Sequence, residues 1–358
     1  MFLDVCVPNQ LTRGNLEALP AGSRYRLFTA PADVDTFEQS PVLRRVREIM
    51  PVDLVVVPEL SATSKSRFTR MTACHRRALA DARDAGAAVI FMCADHLISE
   101  GTFAAVVRRH DAGSRAVLCT GVWVDRDAFL DALRARGGLR AMASREIVSV
   151  ALEHLHPSTR ALMVDGERTA RRPHNVYWNV PGHGILARCF DLHPLMVDPR
   201  HRDVMPQETI DGHYVRHACP VREEVHVVVD SDEFVIIEMS RAEDAKVDTV
   251  PGGISLWKAA SMIGRCDSHQ ESYWSQPVRL HAHTLGESWT AVEKQSRGFA
   301  RRARTLGVAR RLMTVRHLKR LARLEGVRRQ LRRTAKRARR SIVIVVHSAS
   351  RRMQKWAW

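Results

Sequence analysis

The chain has no CxxC pair, no G-x-G-x-x-G, no G-x-x-x-x-G-K motif and no long apolar run. Each absence removes a class of protein. The seven cysteines, Cys6, Cys74, Cys93, Cys119, Cys189, Cys219 and Cys266, are scattered, and three of them (Cys6, Cys93 and Cys119) lie in apolar stretches. That pattern speaks for small core residues in a reducing compartment and against a disulfide framework or a zinc knuckle. A bilayer-spanning helix needs about 18 consecutive apolar residues, and no segment approaches this. The segment VPNQLTRGNLEALP holds a single glycine, Gly14, so a glycine-rich dinucleotide loop is excluded. The opening MFLDVCVPN has neither the basic nor the apolar part of a signal peptide, so a cytoplasmic protein is expected.

Acidic residues are also missing from one region. Positions 301–358 hold twenty Lys/Arg and one acid, Glu325, whereas the first 300 residues hold 36 bases and 38 acids. The formal charge of +17 therefore belongs to a tail, and the rest is nearly neutral. With 358 residues and 45% hydrophobic content, the chain can bury a sizeable core in one large domain or two smaller ones.

What is present in the first 150 residues is an alternation. LDVCVP, YRLFTAP, DLVVVPEL, AAVIFMC and RAVLCTGVWV read as strands, and SPVLRRVREIM, SRFTRMTACHRRALADARDAG and GTFAAVVRRHDAG read as helices between them. Near-continuous apolar strands separated by helices predict a mostly parallel sheet covered on both faces. In such α/β sheets ligands sit beyond the carboxyl ends of strands, and Asp95 follows AAVIFMC at such a place. A turn-capping aspartate is the plainer alternative. Without a phosphate-binding glycine loop, a carboxylate holding Mg²⁺ or Mn²⁺ is another way to retain a diphosphate.

The stretch HRRALADARDAGAAVIFMCADHLISEGTFAAVV resembles the part of GT-A-fold glycosyltransferases where helix, buried strand, acidic xDx motif and a further helix follow one another. The resemblance covers about the first 125 residues and implies a GT-A-like α/β domain over 1–295: a nucleotide-binding half, 1–125, and a loop-rich acceptor and catalytic half, 126–295. It implies a nucleotide-sugar donor, a divalent metal, and roles for Asp95 in holding nucleotide and metal, Asp33 at base or ribose, and Arg70 at the nucleotide. Here the motif is Ala94-Asp95-His96, with one carboxylate in place of two. An ordinary loop acid at Asp33, a solvated helix face at Arg70 and a structural role for His96 and His75 are the alternatives.

Further candidates lie in the second half. His183 stands between Gly182 and Gly184, where a backbone can approach a ligand or simply turn. In ETIDGHYV, Asp211 is the first choice for a general base, and Glu208 is a second acid or a helix cap. VHVVV and FVIIE predict an antiparallel hairpin whose tip carries Asp230, Asp232 and Glu233, a cation site or a solvated turn, with Asp232 the second choice for the base. His281 and His283 would share a strand face. By the resemblance, a late histidine completes the metal site, and His283 is the one assigned.

From Ser296 to Arg340 there is no proline, and apolar residues recur at 308, 312, 315, 318, 321, 324, 327 and 331. This predicts a basic amphipathic helical tail, 296–358, with Gly307 and Gly326 as dividing points, on an anionic membrane surface. No nucleic-acid-binding signature accompanies the basic charge. The expected activity is sugar transfer from a nucleotide-diphosphate donor to a glycan or lipid-linked acceptor at the cytoplasmic membrane face. A non-catalytic nucleotide-sugar or glycan-binding protein and a basic-tail nucleic-acid binder are the other classes.

Overall fold

The computed structural model describes residues 1–61, 67–138, 142–200, 206, 209, 210, 213–245 and 247–323. It is a mixed α/β structure. Its strands are β1 (Tyr25–Thr29), β2 (Val52–Val56), β3 (Val89–Ile90), β4 (His96–Ile98), β5 (Ala116–Cys119), β6 (Gly121–Asp125), β7 (Arg168–Ala170), β8 (Asn175–Val180), β9 (Gly184–Cys189), β10 (His193–Val197), β11 (Val225–Val227), β12 (Ile236–Ser240), β13 (Thr249–Pro251) and β14 (Val278–His281).

The helices expected in the first half form over Pro41–Ile49, Arg67–Ala85 and Thr102–Asp111. The last of these buries Phe103, Ala105 and Val106. The expected first strand does not form. Phe2–Cys6 and Val7–Gln10 are helical, because a short apolar run fits a buried helix as well as a buried strand. The Asn9 amide then does what a neighbouring strand would do: it donates to the Ile98 carbonyl at 2.9 Å and accepts from the Ile98 N–H at 2.8 Å.

The sheets are mixed, not mostly parallel. β1 and β2 pair in parallel, as do β5 with β11 and β6 with β12. In the four-stranded sheet β11-β5-β10-β3, however, β10 runs against both β5 and β3. A strand from the second half thus enters between two strands of the first. Neighbours that sequence order would make parallel become antiparallel.

The expected hairpin is also replaced. β11 pairs in parallel with β5 and β12 in parallel with β6, in two different sheets, and the segment between them leaves the sheets as an excursion. Within it Ser231 N–H donates to the Arg279 carbonyl at 2.8 Å, fastening the acidic segment to β14. β14 in turn pairs antiparallel with β9, setting His281 opposite Gly184. A Cβ on Gly184, at φ +157°, would lie 2.1 Å from the Leu280 carbonyl oxygen, so only glycine permits this approach.

One helix, Glu287–Arg323, crosses the expected boundary at 295. Its start is tied into the core by Trp289, which is 2% exposed. Gly307 does not divide it. That residue is buried against the helix Leu256–Ile263, where a Cβ would meet the Ala260 carbonyl oxygen at 2.9 Å. Among the described residues no helix is long and apolar enough to cross a membrane.

Candidate functional site

Among the described residues, three places that gather chemistry-bearing side chains bear on the site. The first is at the carboxyl end of the parallel pair β1 and β2, where Thr29 and Val56 are opposite one another. A cleft of about 420 Å³ opens there, lined by Val56, Val57, Pro58, Thr69, Arg70, Ala73 and Arg77. Arg70 donates from Nη1 to the Leu60 carbonyl at 2.8 Å. Asp33 ends the short turn of helix just past β1 and is exposed, at the same edge of the sheet. The two nucleotide candidates therefore belong to one end of one sheet.

The second place is the turn between β3 and β4. Cys93, Asp95 and His96 bring three ligand-type atoms within 4.8 Å of one another. His96 is buried, and its ring meets that of His193 edge-on at 5.6 Å. Burial, reinforced by His193, pulls the His96 imidazole down to about 3, so it is neutral at physiological pH. The turn is held at its back. The Asp95 carbonyl accepts from Met239 N–H at 3.0 Å, and the Cys6 thiol donates to the Ala94 carbonyl at 3.2 Å. Burial, then the Asp95 charge, pushes that thiol up to about 12.

The third place is the excursion between β11 and β12. Asp230, Asp232 and His281 again set three ligand-type atoms within 4.8 Å. The His281 side chain is 1% exposed, and its Nε2 lies 2.8 Å from Asp230 Oδ1 and 3.7 Å from Asp232 Oδ1. Its Nδ1 is 2.8 Å from the His283 carbonyl oxygen. Both ring nitrogens thus face acceptors, and the hydrogen bond to Asp230, with help from the His283 carbonyl, raises the imidazole above its ordinary range against the opposing effect of burial. Arg145, near the start of the helix Ser144–Glu153, grips Asp232 through two hydrogen bonds of 2.8 and 2.7 Å and reaches Thr284 Oγ1 at 3.2 Å.

The acids of this cluster stay ionised. The Arg145 guanidinium holds the Asp232 carboxyl below its usual range. Burial pushes Asp230 up, but hydrogen bonds from His281 and from the Asp232 N–H outweigh it and leave it lowered. Next to them Glu233 accepts from Arg109 Nε at 2.6 Å and lies 3.1 Å from His226 Nε2. Burial again opposes ionisation, and these two partners overcome it, bringing Glu233 down to about 2. Two acids flanking Ser231, with a histidine nitrogen near both, form a donor set that fits a divalent cation of the Mg²⁺ or Mn²⁺ type. The fixed Nδ1 contact is the usual way a ligating imidazole is oriented.

No family model, curated protein or solved structure matches this chain. The geometry itself must carry the reading.

Several expectations move as a result. The late histidine of the cluster is His281. β14 ends there, so the His283 ring leaves the strand face and lies edge-on to His183 at 5.7 Å, while its carbonyl serves His281. Asp232 is a poor base, because a carboxylate held low by an arginine has little affinity for a proton. Gly182 and Gly184 serve a tight turn and the close approach of β14 to β9, with His183 N–H donating to the Val180 carbonyl at 2.8 Å. Asp95 and the acidic excursion do not share one cluster: Asp95 is beside Met239, late in β12, and the excursion leads into its beginning at Ile236. Asp211 and Glu208 lie outside the described residues.

Sequence reasoning missed Arg145 altogether, since nothing local marks it; a helix far along the chain delivers it. Asp230 and His281 were visible as an acidic turn and a histidine pair. Their union depends on β14 lying beside residues 229–231.

Proposed function

We propose that this chain is a divalent-metal-dependent glycosyltransferase that uses a nucleotide-diphosphate sugar and a glycan or lipid-linked acceptor. The observation that carries the reading is the buried His281 between Asp230 and Asp232, with Arg145 alongside. The α/β setting, the cleft at the end of β2 and the resemblance around Asp95 support it.

Asp230, Asp232 and His281 Nε2 would hold the cation, in place of the Asp95 and His283 pairing. When bound, that cation supplies neutralisation of the charge on a leaving diphosphate. Arg145 offers a planar guanidinium that can turn from Asp232 to phosphate oxygens, adding positive charge where charge develops. The His283 carbonyl fixes which imidazole nitrogen bears hydrogen and leaves Nε2 for the metal. Arg70 and Asp33, at the cleft end of the β1/β2 sheet, are assigned to the nucleotide. Asp211 remains the residue assigned to take the proton of the acceptor hydroxyl.

Calorimetric titration with UDP-sugars, with and without Mn²⁺, and a donor-hydrolysis assay test this. Cation-dependent binding and slow hydrolysis are expected. An absence of nucleotide-sugar binding at any cation concentration sinks it. One observation favours a second reading, a donor-binding protein without turnover: each carboxylate of the metal cluster already has a cationic partner, Arg145 or His281. Titration heats without hydrolysis would select that reading.

A further inference from the structure

The terminal helix turns a narrow face inward. Beyond Trp289, the residues Ser296, Ala300, Ala303 and Gly307, three or four apart, are the buried ones of this face. A separate row at steps of four, four and three, Arg302, Leu306, Arg310 and Met313, stays exposed, with Leu306 at 39% and Met313 at 69%. Trp257, from the neighbouring helix Leu256–Ile263, joins this row: it is 62% exposed, and the Arg310 guanidinium carbon lies 5.4 Å from its ring centroid. The apolar residues expected to form a stripe begin at Val308 and Leu312, and these too are exposed.

Along this row the helix itself supplies charge of one sign, and Glu271 of the helix Ser268–Ser275 answers Arg304 and Arg311. From Lys294 to Arg323 the helix sequence carries eleven Lys/Arg and no acid, and residues 324–358 add eleven more against one acid. Arg311 is absorbed by the fold, donating to the Ile263 and Cys266 carbonyls and to Glu271. Arg302, whose Nε donates to the Gly298 carbonyl at 3.3 Å, and Arg310, over the Trp257 ring, belong to the exposed row.

We propose that the row Arg302, Leu306, Arg310 and Met313, with Trp257, docks on an anionic lipid surface. Large apolar side chains set among arginines suit a bilayer interface, where headgroups meet the guanidinium groups while Trp and Met enter the acyl boundary. A phosphate backbone alone would leave Trp257 and Met313 without a purpose. The proposal is independent of the metal-centre reading, since it uses none of those residues.

The test is co-sedimentation of the full chain with vesicles of phosphatidylcholine alone and of phosphatidylcholine mixed with phosphatidylglycerol. Binding to the mixed vesicles is expected, weakened but not abolished by salt. Trp257→Ala and Met313→Ser should each weaken it severalfold, up to roughly tenfold, and Arg310→Glu by at least roughly fivefold. Mn²⁺ binding should be unchanged in all three. Because Trp257 supports Arg310, Trp257→Phe serves as a fold-preserving control that keeps most of the affinity. Equal pelleting with neutral vesicles, undiminished binding by the Trp257→Ala/Met313→Ser double variant, or displacement from the vesicles by RNA would overturn the assignment.

Discussion

The turn at Cys93–His96 and the cluster at Asp230, Asp232 and His281 contain similar groups and treat them in opposite ways. In the first, burial beside His193 strips His96 of its proton. In the second, the His281 side chain is also shut off from solvent but lies less deep, and it keeps a raised proton affinity because the hydrogen bond to Asp230, helped by the His283 carbonyl, outweighs burial. The same side chain in two places acquires opposite chemistry according to how deeply it is buried and what faces its nitrogens. One imidazole can ligate a metal without losing a proton but has a single carboxylate for company. The other has two carboxylates, and a metal entering there must displace a proton and loosen Arg145.

The sharpest test of this contrast is a pair of variants. Asp230→Asn keeps the shape of the second cluster and removes charge, so donor turnover should fall on the order of a thousandfold or more. Asp95→Asn should cost far less Mn²⁺ affinity than Asp230→Asn in the same titration. The reverse order would move the metal centre to the β3–β4 turn.

A second experiment asks whether the later cluster depends on strand placement. Gly184→Ala should destabilise the fold by about 3 kcal/mol, by analogy with strained or overpacked core sites, and weaken Mn²⁺ binding through His281. Urea unfolding and the metal titration would read both; a neutral substitution would show that β14 can shift without loss.

Acid unfolding separates the clusters by pH. His96 has a folded value near 3, well below an unfolded histidine at about 6.5, so its stabilising contribution is complete above about 6.5 and is lost as pH falls toward 3. Glu233, lowered to about 2, contributes above the unfolded value of about 4.3 and loses that contribution only as pH falls from there toward 2. Stability measured against pH should therefore lose His96-dependent slope in a His96→Asn variant between about 6.5 and 4.5, where Glu233→Gln leaves the slope unchanged. A wild-type curve flat over that window would show that His96 is not held neutral.

The smallest effect is expected at the cleft. Arg70→Ala should weaken UDP binding by roughly fivefold to tenfold, the value of one charge-assisted contact, with Mn²⁺ affinity intact. Loss of both together would mean that the cleft and the metal cluster form one cooperative unit.

Much of the local structure was legible before any coordinates. Helix Thr102–Asp111 follows from its apolar spacing and its stop near Gly113, and β1, β2, β5 and β6 from β-rich runs ended by turn residues. The acidic turn at 230–233 and the paired histidines near 281 also stood out as residue types. In each case the cause is local: side-chain periodicity, turn propensity and charge act within a few residues.

Partnership was decided elsewhere. Whether LDVCVP became strand or helix depended on Asn9 reaching Ile98, and whether VHVVV and FVIIE formed a hairpin depended on the pull of β5 and β6 on each run. Burial of the same alternating residues satisfies more than one arrangement, so only the complete set of neighbours selects among them. The sequence by itself determined that the chain has an apolar core, a basic end and carboxylates near histidines. Only the tertiary structure decided that Asp230, Asp232, His281 and Arg145 meet. Their encounter joins positions as far apart as 145 and 281, and electrostatic contacts over that separation exist only after the backbone has brought them within a few ångströms.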